Sequence, residues 1–185
     1  MKTYFVQIES ASPISYSKYH GVPLNDRETH EQHEKRTWRE KALVNKGGVA
    51  EISAMAFKFA LCSAAKYLGL QIPGKGKRTY SKIFDSAILI TDNVSIGINK
   101  EDLEANWVHV NSDGKRGSGS RVMRCFPTAR EWNGVLKLYV LDDAITEAIL
   151  KQHLEAAGMF IGVGQFRVER GGTNGRFKIV SLKVI

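Results

Sequence analysis

Residues 135–140 (VLKLYV), 141–157 (LDDAITEAILKQHLEAA), 158–175 (GMFIGVGQFRVERGGTNG) and 176–184 (RFKIVSLKV) form the stretch on which the fold turns. VLKLYV alternates apolar and polar positions, the period of a strand with one buried face. Asp142 or Asp143 stands where a helix cap is needed. The helix it opens carries Ile145, Ala148, Ile149 and Gln152 at helical spacing and stops at Gly158. After the glycine-rich run, 176–184 reads as a closing strand. The N-terminal half has the same grammar. TYFVQIE (3–9) places Tyr4, Val6 and Ile8 on one strand face, and Ser53 caps a helix to about Leu68 that Gly69 closes. Phe57, Ala60, Leu61, Ala64 and Leu68 form its core stripe, and Ala87-Ile88-Leu89-Ile90 is a short buried strand.

The order without insertions is strand, helix, strand, strand, helix, strand. This predicts an α+β fold, a ferredoxin-like antiparallel sheet with two helices on one face. RNA-recognition modules share that order, although their aromatic-rich strand signature is not visible here. The sequence predicts one domain over 1–185, with a β-hairpin region inserted at 91–134 and a glycine-rich loop at 158–175. Trp107–Val110 and Arg121–Phe126 are the hairpin's arms, and 111–120 its Gly/Ser-rich turn. Residues 10–40 read as a long charged loop ending in a short helix near 28–40, and Asn45–Gly48 as a turn.

Length and composition agree with this plan. The 185 residues are 43% apolar and 25% charged, enough for one sizeable core. No run approaches the ~18 apolar residues of a membrane span, and the first ten residues lack a secretory pattern. Cys62 and Cys125 both sit among apolar neighbours and make no disulfide framework, so a cytoplasmic protein with buried thiols is expected.

The net charge of +8 is unevenly spread. Three segments hold thirteen basic residues and one acid in 40 positions, leaving fourteen basic and eighteen acidic residues elsewhere. Residues 74–82 carry Lys75, Lys77, Arg78 and Lys82. Residues 114–130 carry Lys115, Arg116, Arg121, Arg124 and Arg130, and residues 165–178 carry Arg167, Arg170, Arg176 and Lys178 against Glu169. One basic run is ordinarily a solvated face, but three acid-poor, Gly- or Ser-bearing runs point to a polyanion. Phe126, Trp132 and Phe166 lie near these cations, placed either to stack bases or to fill the core.

Within the glycine-rich run, Gly162, Gly164 and Gly172 allow positive φ and close backbone approach, with N–H groups free to line an anion-binding concavity. Tight packing alone is the other role open to them. Gly162-x-Gly164 follows a helix and precedes a strand, the reverse of a dinucleotide fingerprint, and no Walker-type Gly-Lys-Ser/Thr occurs. This run, its place after the last helix, and Phe5–Ile8 leading into Ser12-Pro13-Ile14 resemble the repeat-associated mysterious protein superfamily. That group comprises CRISPR effector backbone subunits and guide-RNA processing nucleases. The matching motifs cover about 157–178 and, more weakly, 4–14; Gly171–Gly175 adds a glycine cluster that the usual loop lacks. A CRISPR subunit and a stand-alone phage or plasmid relative both fit.

The resemblance implies a ferredoxin-like core, RNA as ligand, no cofactor, and a hairpin at 107–130 that meets guide RNA or a neighbouring subunit. Some members cleave RNA without metal, using His with Tyr, Ser or Lys; His20 beside Tyr16, Lys18 and Tyr19 is the candidate here. His30-Glu31-Gln32-His33, near Glu28 and Glu34, misses the zinc-protease spacing by one residue and lacks a full ligand set. The leading expectation is therefore a non-catalytic binder of RNA or single-stranded DNA, its three basic segments forming one groove. Copies of the chain, or CRISPR effector subunits, are its expected protein partners. A metal-independent endoribonuclease and a protein-binding inhibitor module are the competing readings.

Overall fold

In chain order the elements are β1 (Lys2–Ser10), β2 (Ile14–Ser15), α1 (His30–Thr37), β3 (Val49–Ile52), α2 (Ala54–Leu68), α3 (Ser81–Ala87), β4 (Ile88–Leu89), β5 (Val94–Asn99), β6 (Glu104–Asn111), β7 (Arg121–Ala129), β8 (Asn133–Val140), α4 (Glu147–Ala156) and β9 (Phe177–Val184). They come from a computed structural model that describes residues 1–112 and 119–185. Lys115 and Arg116 lie outside the described residues.

The central sheet runs β4-β8-β1-β9, and every neighbouring pair is antiparallel. Numbered by their place in the core, these are strands two, three, one and four, the order of the ferredoxin-like plan. Alternation decides which face is covered. Tyr4, Val6 and Ile8 of β1 and Leu136, Leu138 and Val140 of β8 are buried against Phe57, Leu61 and Ala64 of α2 and Leu150 and Leu154 of α4. Helix α2 is bounded as its sequence dictates: Ser53 Oγ accepts from Met55 N at 3.3 Å, and Gly69 closes it at φ 59°.

Helix α4 begins later than expected. Thr146, not Asp142 or Asp143, is the cap, accepting from Ile149 N at 3.3 Å; Asp142 instead accepts from Ala144 N in the turn before it. Nor does Gly158 stop the helix, which continues as a π-turn over Ala157–Ile161 until Gly162 at φ 75° ends it. Gly158 serves a different need, because a Cβ there would lie 2.1 Å from Phe177 O.

The excursion over 91–134 holds β5 as well as the hairpin of β6 and β7. β5 pairs with β3, a stretch whose sequence gave no strand signal, while β7 pairs with β6 and with β2 in a second sheet. Residues 74–82 also contain the first two residues of α3, so Lys82 is helical. Lys58 of α2 ends that helix, its Nζ donating to the carbonyls of Phe84, Asp85 and Ile88 at 2.6–2.9 Å.

His153 is fully buried and stacks on Phe84 with ring centroids 4.2 Å apart. Its Nδ1 bonds the Ile149 carbonyl, while Nε2 is buried without a partner. Burial depresses the His153 pKa below its ordinary value, only partly opposed by that carbonyl. The unfolded chain therefore takes up a proton that the folded chain refuses, and stability falls as pH drops below about 6.5. Urea unfolding between pH 7.5 and 5.5 is expected to show this loss, up to about 1.4 kcal/mol per pH unit for one proton. His153→Phe is expected to flatten the curve.

Candidate nucleic-acid interface

The two segments that carried the family resemblance are bonded to each other. Ala11 N and Ser12 N donate to Arg176 O, Arg176 N donates to Ser12 Oγ, Gly175 N to Pro13 O at 2.7 Å, and Gln165 N to Ser15 O at 2.8 Å. Ser15 is fully buried; its hydroxyl pairs with Thr128 Oγ1 of β7 and accepts from Asn174 Nδ2, both at 2.8 Å. Segment 11–15 is thus the floor on which the glycine-rich loop lies.

Backbone contact here leaves no room for side chains. At Gly164, with φ 80°, a Cβ would stand 2.8 Å from Ser15 O; at Gly175, with φ 79°, it would stand 1.8 Å from Val163 O. A Cβ at Gly172 would likewise meet Phe166 O at 1.8 Å. The amides of Gly162 and Gly172 donate to Ala157 O and Arg167 O. Close packing consumes these two N–H groups, and what the loop presents outward is mainly arginine.

Arg167 stands where two cavities meet. One, of about 830 Å³, runs between the outer face of α2 (Phe59, Ser63, Lys66) and the loop (Gly162, Gly164, Arg167, Arg170). The other, of about 460 Å³, continues past Gly164 and Arg167 to Ser17 and Lys18. Arg167 Nε donates to Glu169 at 3.0 Å, and Arg176 Nε donates to Met159 O at 3.0 Å. Phe166, at a left-handed φ of 58°, meets Phe126 of β7 edge-on at 4.8 Å, joining the loop to the hairpin. Phe126 is buried and Trp132 belongs to the core, its Nε1 donating to Ser12 O. These two rings support the loop from beneath.

On β7 the arginines differ. Arg121 is exposed, Arg130 pairs with Glu104 at 2.7 Å, and Arg124 pairs with Glu34 at 3.2 Å. Glu34, on α1, is almost completely buried and also accepts from Lys41 Nζ and from Cys125 N at 2.7 Å. Burial pushes its carboxyl pKa up, but these hydrogen bonds and the Lys41 charge outweigh that and hold it below the usual carboxylate range. Arg124 is therefore partly spent on fastening the hairpin to α1.

The first basic segment, 74–82, lies apart. Lys75, Lys77, Arg78 and Lys82 line a cavity of about 760 Å³ with Asp142 and Ala144. It sits beyond the C-terminal end of α2, a helix of 15 residues and about 22 Å. The structure brings the second and third basic segments together and leaves this one separate. Two groove residues, Lys66 and Phe59, were not singled out in the sequence. A lone lysine or phenylalanine on a helix reads as solvated face or core, and only the opposing loop gives them a role.

Of the N-terminal histidines, His20 and His33 are engaged in structure and His30 is exposed at the start of α1. Thr29 and Gln32 form a capping box at α1, Arg36 holds Glu28 at 2.7 Å, and His33 bonds Val22 O. Among the described residues no group of three or more His, Cys, Asp or Glu is placed to hold a metal, and no helix is long and apolar enough to cross a membrane. His20 stacks on His33 at 5.9 Å, and burial, then His33 and Lys41, lower its pKa. Tyr16 is buried with its hydroxyl unpartnered, whereas Tyr19 is exposed. Burial pushes both thiols, Cys62 and Cys125, up to about 11, well away from nucleophilic use.

Known structures share this architecture. A chain in the cryo-EM structure of the Type III-B Cmr-beta bound to cognate target RNA matches with a TM-score of 0.54 at 14% identity, over all of this chain and 60% of that one. This chain thus spans three-fifths of that subunit's length. The crystal structure of Cmr6 from Pyrococcus furiosus gives 0.51 at 12% identity, over 96% of this chain and 97% of that one. No protein-family model and no curated protein matches the sequence. The likeness is one of fold, and it is the fold that the resemblance of 4–14 and 157–178 implied.

Because Gly164 has both a left-handed φ and a backbone oxygen 2.8 Å from its Cβ position, Gly164→Ala is expected to cost at least about 2 kcal/mol. Thermal unfolding checks this: the midpoint falls by roughly 4–8 °C.

Proposed function

We propose that the protein is a non-catalytic, CRISPR-associated binder of single-stranded nucleic acid, RNA in the first place, gripping the phosphate backbone with little sequence readout. The observation that carries this reading is the groove between α2 and the glycine-rich loop, a loop that the Phe166–Phe126 ring contact joins to the hairpin strand β7. Lys66, Arg167 and Arg170 line it, Arg176 is bonded to Met159 O at the end of the helix before the loop, and Arg121 stands at the tip end of β7. Arginine suits this task because its planar fork takes two phosphate oxygens at once. Gly162, Gly164 and Gly172 act here by bringing the loop down to the strand path. Lys115 and Arg116, outside the described residues, add charge six and five positions before Arg121 in sequence, and Arg124 and Arg130 contribute what charge their ion pairs leave. Lys75, Lys77 and Arg78 form a second, separate contact, where a long strand or an adjoining subunit continues. The likeness of fold to CRISPR subunits supports neighbours of that kind, other copies of this chain or effector subunits lined up along one strand.

Binding of a labelled single-stranded RNA is expected to weaken steeply with salt, as counterion release requires. The triple variant Lys66→Ala/Arg167→Ala/Arg170→Ala should bind about 10- to 100-fold more weakly, with a salt slope shallower by about 2. Circular dichroism shows whether the fold is kept; unchanged affinity in a folded variant overturns the groove. Free RNA that fails to bind, while an acidic protein surface does, favours the inhibitor reading instead.

One observation favours cleavage as a second reading: His20, its Nδ1 buried without a partner, lies two residues after Lys18, which lines the smaller cavity. Incubation with structured RNA in EDTA separates the two. Intact RNA is the expected outcome; product that disappears in His20→Ala makes the protein a metal-independent nuclease.

A further inference from the structure

The face of the central sheet turned away from α2 and α4 is laid out in rows by its register. Phe5 on β1 stands opposite Lys137 on β8 and Lys183 on β9. In the next row Tyr139 lies between Leu89 and Thr3, and on the other side of Phe5 lies the row Val135, Gln7 and Ser181. Phe5 and Tyr139 are half-exposed on the two middle strands and are diagonal neighbours, roughly 7–8 Å apart in backbone position. Val135 and Leu89 are 56% and 45% exposed. Lys137 Nζ stands 5.2 Å from the Tyr139 ring centre and 3.7 Å from Asp92, and Glu9 closes the far end of the face opposite Lys178.

We propose that this open face is a second RNA-contacting surface, on which Phe5 and Tyr139 stack two bases of a single strand while Lys137 and Lys183 take the flanking phosphates. Its chemistry selects the occupant. A protein surface covering the rings would have to strip water from both lysines that bracket Phe5, a costly step without matched acids. A nucleotide brings a π-face for the ring and a phosphate for the lysine in one unit. The polar groups beside the rings are Thr3, Gln7 and Ser181, with Ser181 Oγ 3.5 Å from Gln7 Oε1, and they offer partners to a 2′-hydroxyl that DNA lacks. The surface is separate from the groove, since α2 and its loop lie on the opposite side of the sheet, and it does not depend on that groove being occupied.

The test is photo-crosslinking of a 12-nucleotide single-stranded RNA carrying 4-thiouridine to the full chain, with the crosslinked peptides identified by mass spectrometry. Crosslinks on the peptides that contain Phe5 and Tyr139 are expected. Phe5→Leu/Tyr139→Leu, which keeps apolar bulk and removes the rings, should weaken binding about tenfold or more at an unchanged salt slope. Phe5→Tyr/Tyr139→Phe should retain it, so loss in both pairs marks a packing defect and overturns stacking. Lys137→Gln/Lys183→Gln should lower the salt slope by about 1.4. Crosslinks confined to peptides from α2 and the glycine-rich loop overturn the platform and leave the groove standing. Crosslinks confined to β1 and β8 do the reverse, and no crosslinks with no binding overturn both. A DNA 12-mer of matching sequence that binds as tightly as the RNA overturns the assignment to RNA.

Discussion

A patch of backbone pressed against backbone, where the loop 162–175 lies on segment 11–15, governs the arrangement of everything functional in this molecule. Ser15 O receives Gln165 N, Pro13 O receives Gly175 N, and glycine is required at 164 and 175 because φ is left-handed and a carbonyl oxygen lies too close to the Cβ position. The contact unites distant parts of the chain: β2 belongs to the hairpin's sheet, while the loop connects α4 to the last strand of the central sheet. It holds Arg167 beside α2 and Phe166 against Phe126 of β7. The glycines serve the cations indirectly, by making the loop thin enough for its arginines to border a groove.

Glu34 does for the hairpin what those glycines do for the loop. It is a buried carboxylate answered by Lys41, Arg124 and the Cys125 amide. Removing one partner from such a cluster is costly because the others remain buried and charged. The polarised composition therefore overstates the charge free to meet a polyanion: Arg124, Arg130 and Arg167 each hold an acid, while Arg121 and Lys66 are exposed on the surface.

The parts of the fold legible in the sequence are those encoded locally. Ser53 and Gly69 bound α2 because a cap hydroxyl and a left-handed closing residue are single-position signals, and Tyr4, Val6 and Ile8 declare a buried face by alternation alone. Thr146 was missed because three residues able to cap lie within five positions, and packing of Ile145 and Leu150 decides among them. The pairing of β3 with β5 joins Val49–Ile52 to a strand more than forty residues away and leaves no mark in a four-residue stretch. The site was half legible for the same reason. Arg167 and Arg170 announce themselves by clustering, whereas Lys66 and Phe59 gain meaning from a loop a hundred residues later, and the partner that occupies Arg124 sits 90 residues before it.

The last strand, β9, ends the sheet, so its outer backbone groups are open to a further strand from another molecule. Its register slips between Gln7 and Ile8 of β1, and Lys178 and Lys183 are exposed along it. Irregular pairing and lysines are the features by which sheet proteins discourage open-ended polymerisation. An array of these molecules would then be held together by what the molecules bind, and would come apart with it, instead of growing into a continuous β-ribbon.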